Sequence, residues 1–246
     1  MNMSKQCALL LVTVLFFGFA GFHADAEPLR VVVVTGGHGY EKEAFEDIFI
    51  QNTDIACTFY KLQDDSELFE EISDWHYDVI VLYNMSRRIS EKRQQNLLQL
   101  LDQGVGLVVL HHAIAAFSDW KEYRKIIGAR YWLEDMEEDG IAHSASQWKE
   151  GVDMQFHVED PGHPVTRGIE DFTLHDETYK GYDLEPDNHL LLSCSTEGSQ
   201  QEVAWTRQYL NARICYIQSG HGAESYASPV YRKLVAQAIA WAGSRD

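Results

Sequence analysis

Positive charge is scarce in this 246-residue chain: 20 lysines and arginines stand against 38 aspartates and glutamates, a formal net charge of −18. A field of that sign repels phosphate backbones, so no nucleic-acid partner is expected, and neutral or cationic ligands are favoured. Long apolar runs are missing too. The one from Ala8 to Phe22 falls short of the ~20 residues of a membrane span. It follows Lys5 and precedes the small-residue triplet Ala24, Asp25 and Ala26. Residues 1–26 therefore read as a signal peptide cleaved after Ala26, with export to the periplasm or beyond and no stable membrane insertion afterwards. Lys5 and Asp25 cancel, so residues 27–246 keep the full negative charge. Cysteine is sparse: beyond the leader only Cys57, Cys194 and Cys215 remain, an odd number without metal-type spacing. A Cys194–Cys215 bridge is compatible with export, and so is burial of the thiols in strands. No repeat, low-complexity tract or linker interrupts residues 27–246, which are read as one domain.

What is present is a regular alternation of strands and helices. LRVVVVTG at 29–36 is a β-branched run closed by glycine, the pattern of a strand buried on both faces. A helix is predicted over 41–51 with Ala44, Phe45, Ile48 and Phe49 inward, then a strand over 55–61, a short helix over 66–72 and a strand over 78–84. Ser90 is placed as the N-cap of a helix with Leu97, Leu98 and Leu101 on its inner stripe, and Gly104 ends it before a strand over 106–110. Four such alternations predict an α/β fold: a doubly wound, mainly parallel sheet with helices on both faces. From 128 to 151 the chain is polar and irregular, the character of a lid or binding loop. Strands follow over 154–160, 189–196, 202–209 and 212–220, close enough in sequence for antiparallel additions in the C-terminal half. A helix over 229–241 closes the chain.

In an open parallel sheet, ligands bind beyond the carboxyl ends of the strands. His38 follows the first strand, His111 and His112 end the fourth, and His221 follows the last. The run His175, Asp176, Glu177 and Tyr179 adds a compact titratable cluster of the kind that shifts pKa values. Any one of these alone is most simply a solvated or satisfied side chain. Together they point to one pocket. The motifs that would name its chemistry are absent: no HExxH, no G-x-G-x-x-G or G-x-x-x-x-G-K after the first strand, and no G-x-S-x-G around Ser219. Two chemistries stay open. One is a divalent metal such as zinc, with His38, His112, His175 and Glu177 as candidate ligands. The other is metal-free acid–base catalysis by His112, Glu177 and His221. His38, His111, Asp176, Tyr179 and Trp148 are placed as substrate contacts, Trp148 as an aromatic surface that can stack on a sugar ring.

The segments VVTGGHGYE, GVGLVVLHHA, DPGHPVTRGIEDFTLHDETY and QSGHGAESYASPVYRKLVAQAIAWA resemble the ThuA-like family, first named from trehalose utilisation. The resemblance runs from Leu29 to Ala242 and is most specific in GHPVTRGI followed by HDETY. It implies the flavodoxin-like core of class I glutamine amidotransferases, a connection to carbohydrate catabolism and a small carbohydrate ligand. Those amidotransferases carry a nucleophilic cysteine at a sharp turn after a central strand, activated by a His-x-Glu pair near the chain end. Here the matching turn reads LVVLHHAIAAF without cysteine, while His221 and Glu224 stand near the places of the histidine and the acid. That argues against glutamine hydrolysis, which needs the nucleophile. The expected function is an exported enzyme acting on a glycoside or oxidised sugar. The alternative is a sugar-binding or accessory module without turnover.

Overall fold

The computed structural model describes residues 27–63 and 66–244. The expected signal peptide, with its cleavage site after Ala26, lies outside the described residues. Strand β1 (Leu29–Gly36) pairs in parallel with β2 (Ile55–Lys61) and β3 (Val79–Asn84), β3 with β4 (Gly106–Leu110), and β4 with the last strand, β13 (Ala212–Ile217). Successive valines of β1 serve opposite faces, as the pleat requires. Val31 and Val33 meet Phe45 and Phe49 of helix α1 (Lys42–Ile50) and Leu234 and Ile239 of α5 (Pro229–Gly243). Val32 and Val34 belong to the core formed with Leu97, Leu100 and Leu101 of α2 (Glu91–Asp102) and Tyr123 and Ile126 of α3 (Lys121–Ile127). Ser228 caps α5 by accepting the amide of Tyr231, with Pro229 in the first turn. Ser90 holds the N-cap position of α2, but its hydroxyl makes no capping bond.

The second half carries the expected antiparallel additions, but to a greater extent than the sequence suggested. The full sheet has nine strands in the order β2-β1-β3-β4-β13-β12-β11-β8-β9, comprising β8 (Gln147–Val158), β9 (Phe172–Lys180), β11 (His189–Cys194) and β12 (Glu202–Tyr209) besides those above. Four of its eight pairings are parallel and four antiparallel, so the sheet is mixed rather than mainly parallel. The helix expected over 66–72 is a single 3-10 turn, Glu67–Phe69. Seven residues are too few to carry a helix without tertiary support. The polar stretch 128–151 is partly ordered into the two-residue bridge between β5 (Ala129–Arg130) and β10 (Asp183–Leu184), the hairpin β6 (Met136–Glu138) and β7 (Ile141–His143), and the start of β8. A further short helix, α4 (Ala223–Ala227), precedes α5. No helix among the described residues is long and apolar enough to cross a membrane.

Cys57, Cys194 and Cys215 are free thiols. The Cys194–Cys215 bridge fails on sheet order: β12 separates β11 from β13, and two strand spacings of ~4.8 Å exceed the Cα separation a disulfide spans.

Candidate functional site

The site lies at the carboxyl ends of β1, β3, β4 and β13, where β9 is laid against the loops. His111 follows β4 directly with φ 50, a left-handed conformation that costs an L-residue roughly 1–2 kcal/mol. Strain of that kind collects where a side chain must be aimed. Its fully buried ring donates from Nδ1 to the Gln218 carbonyl (2.7 Å) and stacks on Tyr179 at 4.9 Å between centroids. The loop after β13 bends at Gly220, with φ 118. A Cβ there would lie 2.1 Å from Tyr231 Oη, so only glycine fits. Tyr83 and Tyr226 hold the same loop by its carbonyls, at 2.8 Å to Gly220 and 2.9 Å to His221.

Three groups form the centre. His111 Nε2 is 3.1 Å from Glu177 Oε2 and 3.1 Å from His221 Nδ1, and His221 Nδ1 is 2.7 Å from the same Glu177 oxygen. Burial alone would raise the Glu177 pKa, but the contacts with His111 and His221 hold it down at about 2. Glu177 in turn raises the pKa of His221. Asp176 supports this centre through the backbone, accepting the amides of Gly220 (2.7 Å), His221 (2.9 Å) and Glu177 (2.9 Å). Among the described residues, His111, Glu177 and His221 are the one group of three whose donor atoms lie close enough together to hold a metal ion.

His112 is a different kind of group. Its Nε2 lies 3.2 Å from the Tyr83 carbonyl, which can only accept, so Nε2 carries the proton and Nδ1 keeps its lone pair. Nδ1 is buried and without a partner among the described residues. Burial, then the neighbouring His111 and His38, push the His112 pKa well below its usual value, which keeps the ring a neutral base. The exposed His38 ring lies over it, 4.4 Å between centroids. Both amide atoms of Asn84 and the Ser219 hydroxyl are also buried without partners. Orphaned polar atoms at converging strand ends are what a polar ligand would satisfy.

His38, His111, His112, Asp176, Glu177, Tyr179 and His221 thus converge, with Tyr179 Oη 2.9 Å from His111 Nε2. His175 does not: its ring is bonded to Asp153 (2.7 Å) at the exposed rim, which raises its pKa, and it stands outside the group of donor atoms close enough to share an ion. His38 and His112 also stand outside the three-atom centre, whose imidazoles come from His111 and His221. Glu224, expected near the place of the amidotransferase acid, is exposed at the head of α4, and the carboxylate that meets His221 Nδ1 is Glu177. Trp148, 60% exposed, stands opposite Tyr179 in the β8–β9 ladder, so the two side chains share a face. Arg87 is occupied at the surface by Glu134 (3.5 Å).

Sequence reasoning missed Glu150, whose Oε1 is 3.5 Å from His221 Nε2. The register shifts between Lys149 and Val152, around Gly151 with φ 66, and this bulge re-aims Glu150. The glycine was the one available signal. A cleft of about 390 Å3 bordered by Thr35, His38, Tyr40 and Lys61 meets the site at His38 and is not lined by His111, Glu177 or His221. A larger cavity, about 700 Å3, lies at the opposite, amino end of β1, bordered by Pro28, Arg30 and Asp78 without any histidine.

A family model described as ThuA, trehalose utilisation, matches residues 30–242. In three dimensions the chain is similar to a ThuA-like protein of Parabacteroides merdae: TM-score 0.75, 20% identity, 89% of this chain and 91% of that one covered. A ThuA-like protein of Bacteroides uniformis is also similar, at TM-score 0.65, 20% identity, and 93% and 97% coverage. A cytoplasmic protein of Salmonella typhimurium shares the fold at TM-score 0.57 and 12% identity, over 87% of this chain and 99% of that one. No curated protein sequence matches the chain.

Proposed function

Because this chain belongs to the ThuA family, associated with trehalose utilisation, we propose that it is an exported enzyme of carbohydrate catabolism acting on a glycoside or an oxidised sugar. The observation that carries the reading is the pairing of two unlike poles. His112 offers a neutral, unpartnered Nδ1 lone pair, and the His111–Glu177–His221 centre lies beside it, with His111 and His112 rings 5.3 Å apart. A base next to a hydrogen-bond donor suits removal of a proton from a carbon adjacent to a sugar carbonyl. The base takes the proton while the outward Nε2–H of His221, whose Nδ1 is held by Glu177, stabilises the charge that develops on the carbonyl oxygen. No nucleophile is needed, which accords with the missing cysteine. Trp148 offers an exposed ring on the same face as Tyr179, where a sugar can stack.

A screen of glycosides and keto-sugars with untagged protein tests this. His112→Ala is expected to lower turnover at least ~100-fold, the lower range for a lost acid–base group. Trp148→Ala is expected to raise KM more than it lowers kcat. Full turnover in His112→Ala sinks the assignment, and saturable sugar binding without any turnover by the wild type identifies a binding module instead. For export, mass spectrometry of the secreted chain is expected to find Glu27 at the N-terminus.

A further inference from the structure

We propose that His111 Nε2, His221 Nδ1 and a Glu177 carboxylate oxygen bind one divalent first-row transition ion. The inference deepens the proposed function and rests on the same site. Its first support is spacing. The three atoms form a triangle with sides of 2.7, 3.1 and 3.1 Å, whose centre is about 1.7 Å from each corner. An ion at the ~2.0–2.2 Å typical of imidazole and carboxylate ligands fits just off that plane and keeps positions free for substrate or water.

The second support is proton placement. The Gln218 carbonyl accepts from His111 Nδ1, so a neutral His111 turns a lone pair towards Glu177 and His221. That nitrogen is approached by three heteroatoms at once, Glu177 Oε2, His221 Nδ1 and Tyr179 Oη. A single N–H does not serve all three. A cation between the ligand atoms relieves the repulsion and frees the Tyr179 hydroxyl to donate elsewhere in the site. His221 is prepared in the same way: its far nitrogen, Nε2, faces Glu150 at 3.5 Å, leaving Nδ1 for the ion. An imidazole that ligates through one nitrogen and is oriented by a carbonyl or carboxylate on the other is the usual outer shell of a metal site. Two nitrogens and one oxygen select a transition ion over calcium or magnesium, which prefer oxygen alone.

The rival is a proton shared within the cluster. Untagged protein, stripped with chelator and free of sugar, is titrated with Zn2+ by calorimetry and with Co2+ by visible absorption. One equivalent of Zn2+ is expected with Kd at or below roughly 1 μM. His111→Ala and the near-isosteric Glu177→Gln are expected to weaken it at least ~100-fold, and Glu150→Gln by about 10-fold. His189→Ala, on a surface pair with Asp160, is expected to change nothing. Bound Zn2+ should raise the thermal midpoint of the wild type and not that of Glu177→Gln. The proposal is overturned if neither ion binds saturably up to about 100 μM, or if binding survives both ligand variants. Metal binding without sugar turnover leaves this proposal standing and sinks the enzyme reading, whereas turnover without any metal binding does the reverse.

Discussion

His111 donates from Nδ1 to a carbonyl and turns Nε2 to Glu177 and His221, whereas His112 donates from Nε2 and keeps Nδ1 unpartnered. Adjacent in sequence, they are separated in chemistry by which nitrogen meets a backbone carbonyl. The sequence placed both at one strand end without ranking them, because a tautomer is fixed by carbonyls distant along the chain, at Gln218 and Tyr83. Cysteine differs in the same local way. Complete burial pushes the Cys215 thiol far up, and partial burial raises that of Cys57, so neither supplies a thiolate at neutral pH. Iodoacetamide at pH 8 should leave Cys194 and Cys215 unlabelled in folded protein and label them in denaturant, as read by peptide mass spectrometry. Equal labelling in both conditions would contradict the burial. Gly220 carries the sharpest steric demand, and Gly220→Ala should destabilise the chain by about 1–3 kcal/mol in denaturant titration through positive φ and overpacking against Tyr231. A change under ~0.5 kcal/mol would show that the loop yields easily.

Strands β1, β3 and β4 were legible because each is a short β-branched run buried on both faces. The β8–β9 ribbon was legible only at its far end, in the strand expected over 154–160; Gln147–Gly151 is exposed and shows no alternation, and β9 was not expected as a strand. Yet β9 delivers Asp176, Glu177 and Tyr179 to the site. The distinctive GHPVTRGI segment turns out to be the turn that joins these two strands. Val165 and Thr166 are fully buried, and α5 grips the turn through Gln237 to the Pro164 carbonyl (2.7 Å) and Lys233 to that of Gly168 (2.6 Å). Two carboxylates stitch its ends: Asp160 accepts from His189 and the amides of Gly162 and His163, and Asp171 from the Val158 amide and His157. These bonds lower both pKa values below the ordinary 3.8. A depressed carboxylate stabilises the fold above its unfolded pKa and loses that contribution as pH falls through the folded value. Between pH 5 and pH 3 the urea midpoint should therefore fall less steeply in the Asp160→Asn, Asp171→Asn double variant than in the wild type. Parallel slopes would mean that the turn is held by its buried residues alone.

On the scale of the molecule, the site is assembled across both halves of one sheet: the parallel half supplies the strand ends, and the antiparallel half returns β9 over them. Alternation of local patterns exposed the first half, whereas the return of β9 depends on contacts far apart in sequence that no local pattern records. The net charge was legible from composition alone, and it has a consequence for the whole fold. Eighteen unmatched negative charges repel one another across the surface and disfavour the compact state. Opposing this are exposed ion pairs such as Arg30–Asp78 (2.9 Å) and Lys121–Asp139 (3.1 Å), which salt weakens. Each such pair contributes only about 0–1 kcal/mol, while the repulsion acts among all the unmatched acids at once. Raising NaCl from about 0.01 M to about 0.15 M shortens the screening length from roughly 30 Å to roughly 8 Å. That is enough to mute repulsion across a domain and leaves contacts at 3 Å comparatively unscreened. The thermal midpoint of chelator-treated protein should rise over this range, and a fall would show that the surface pairs outweigh the repulsion.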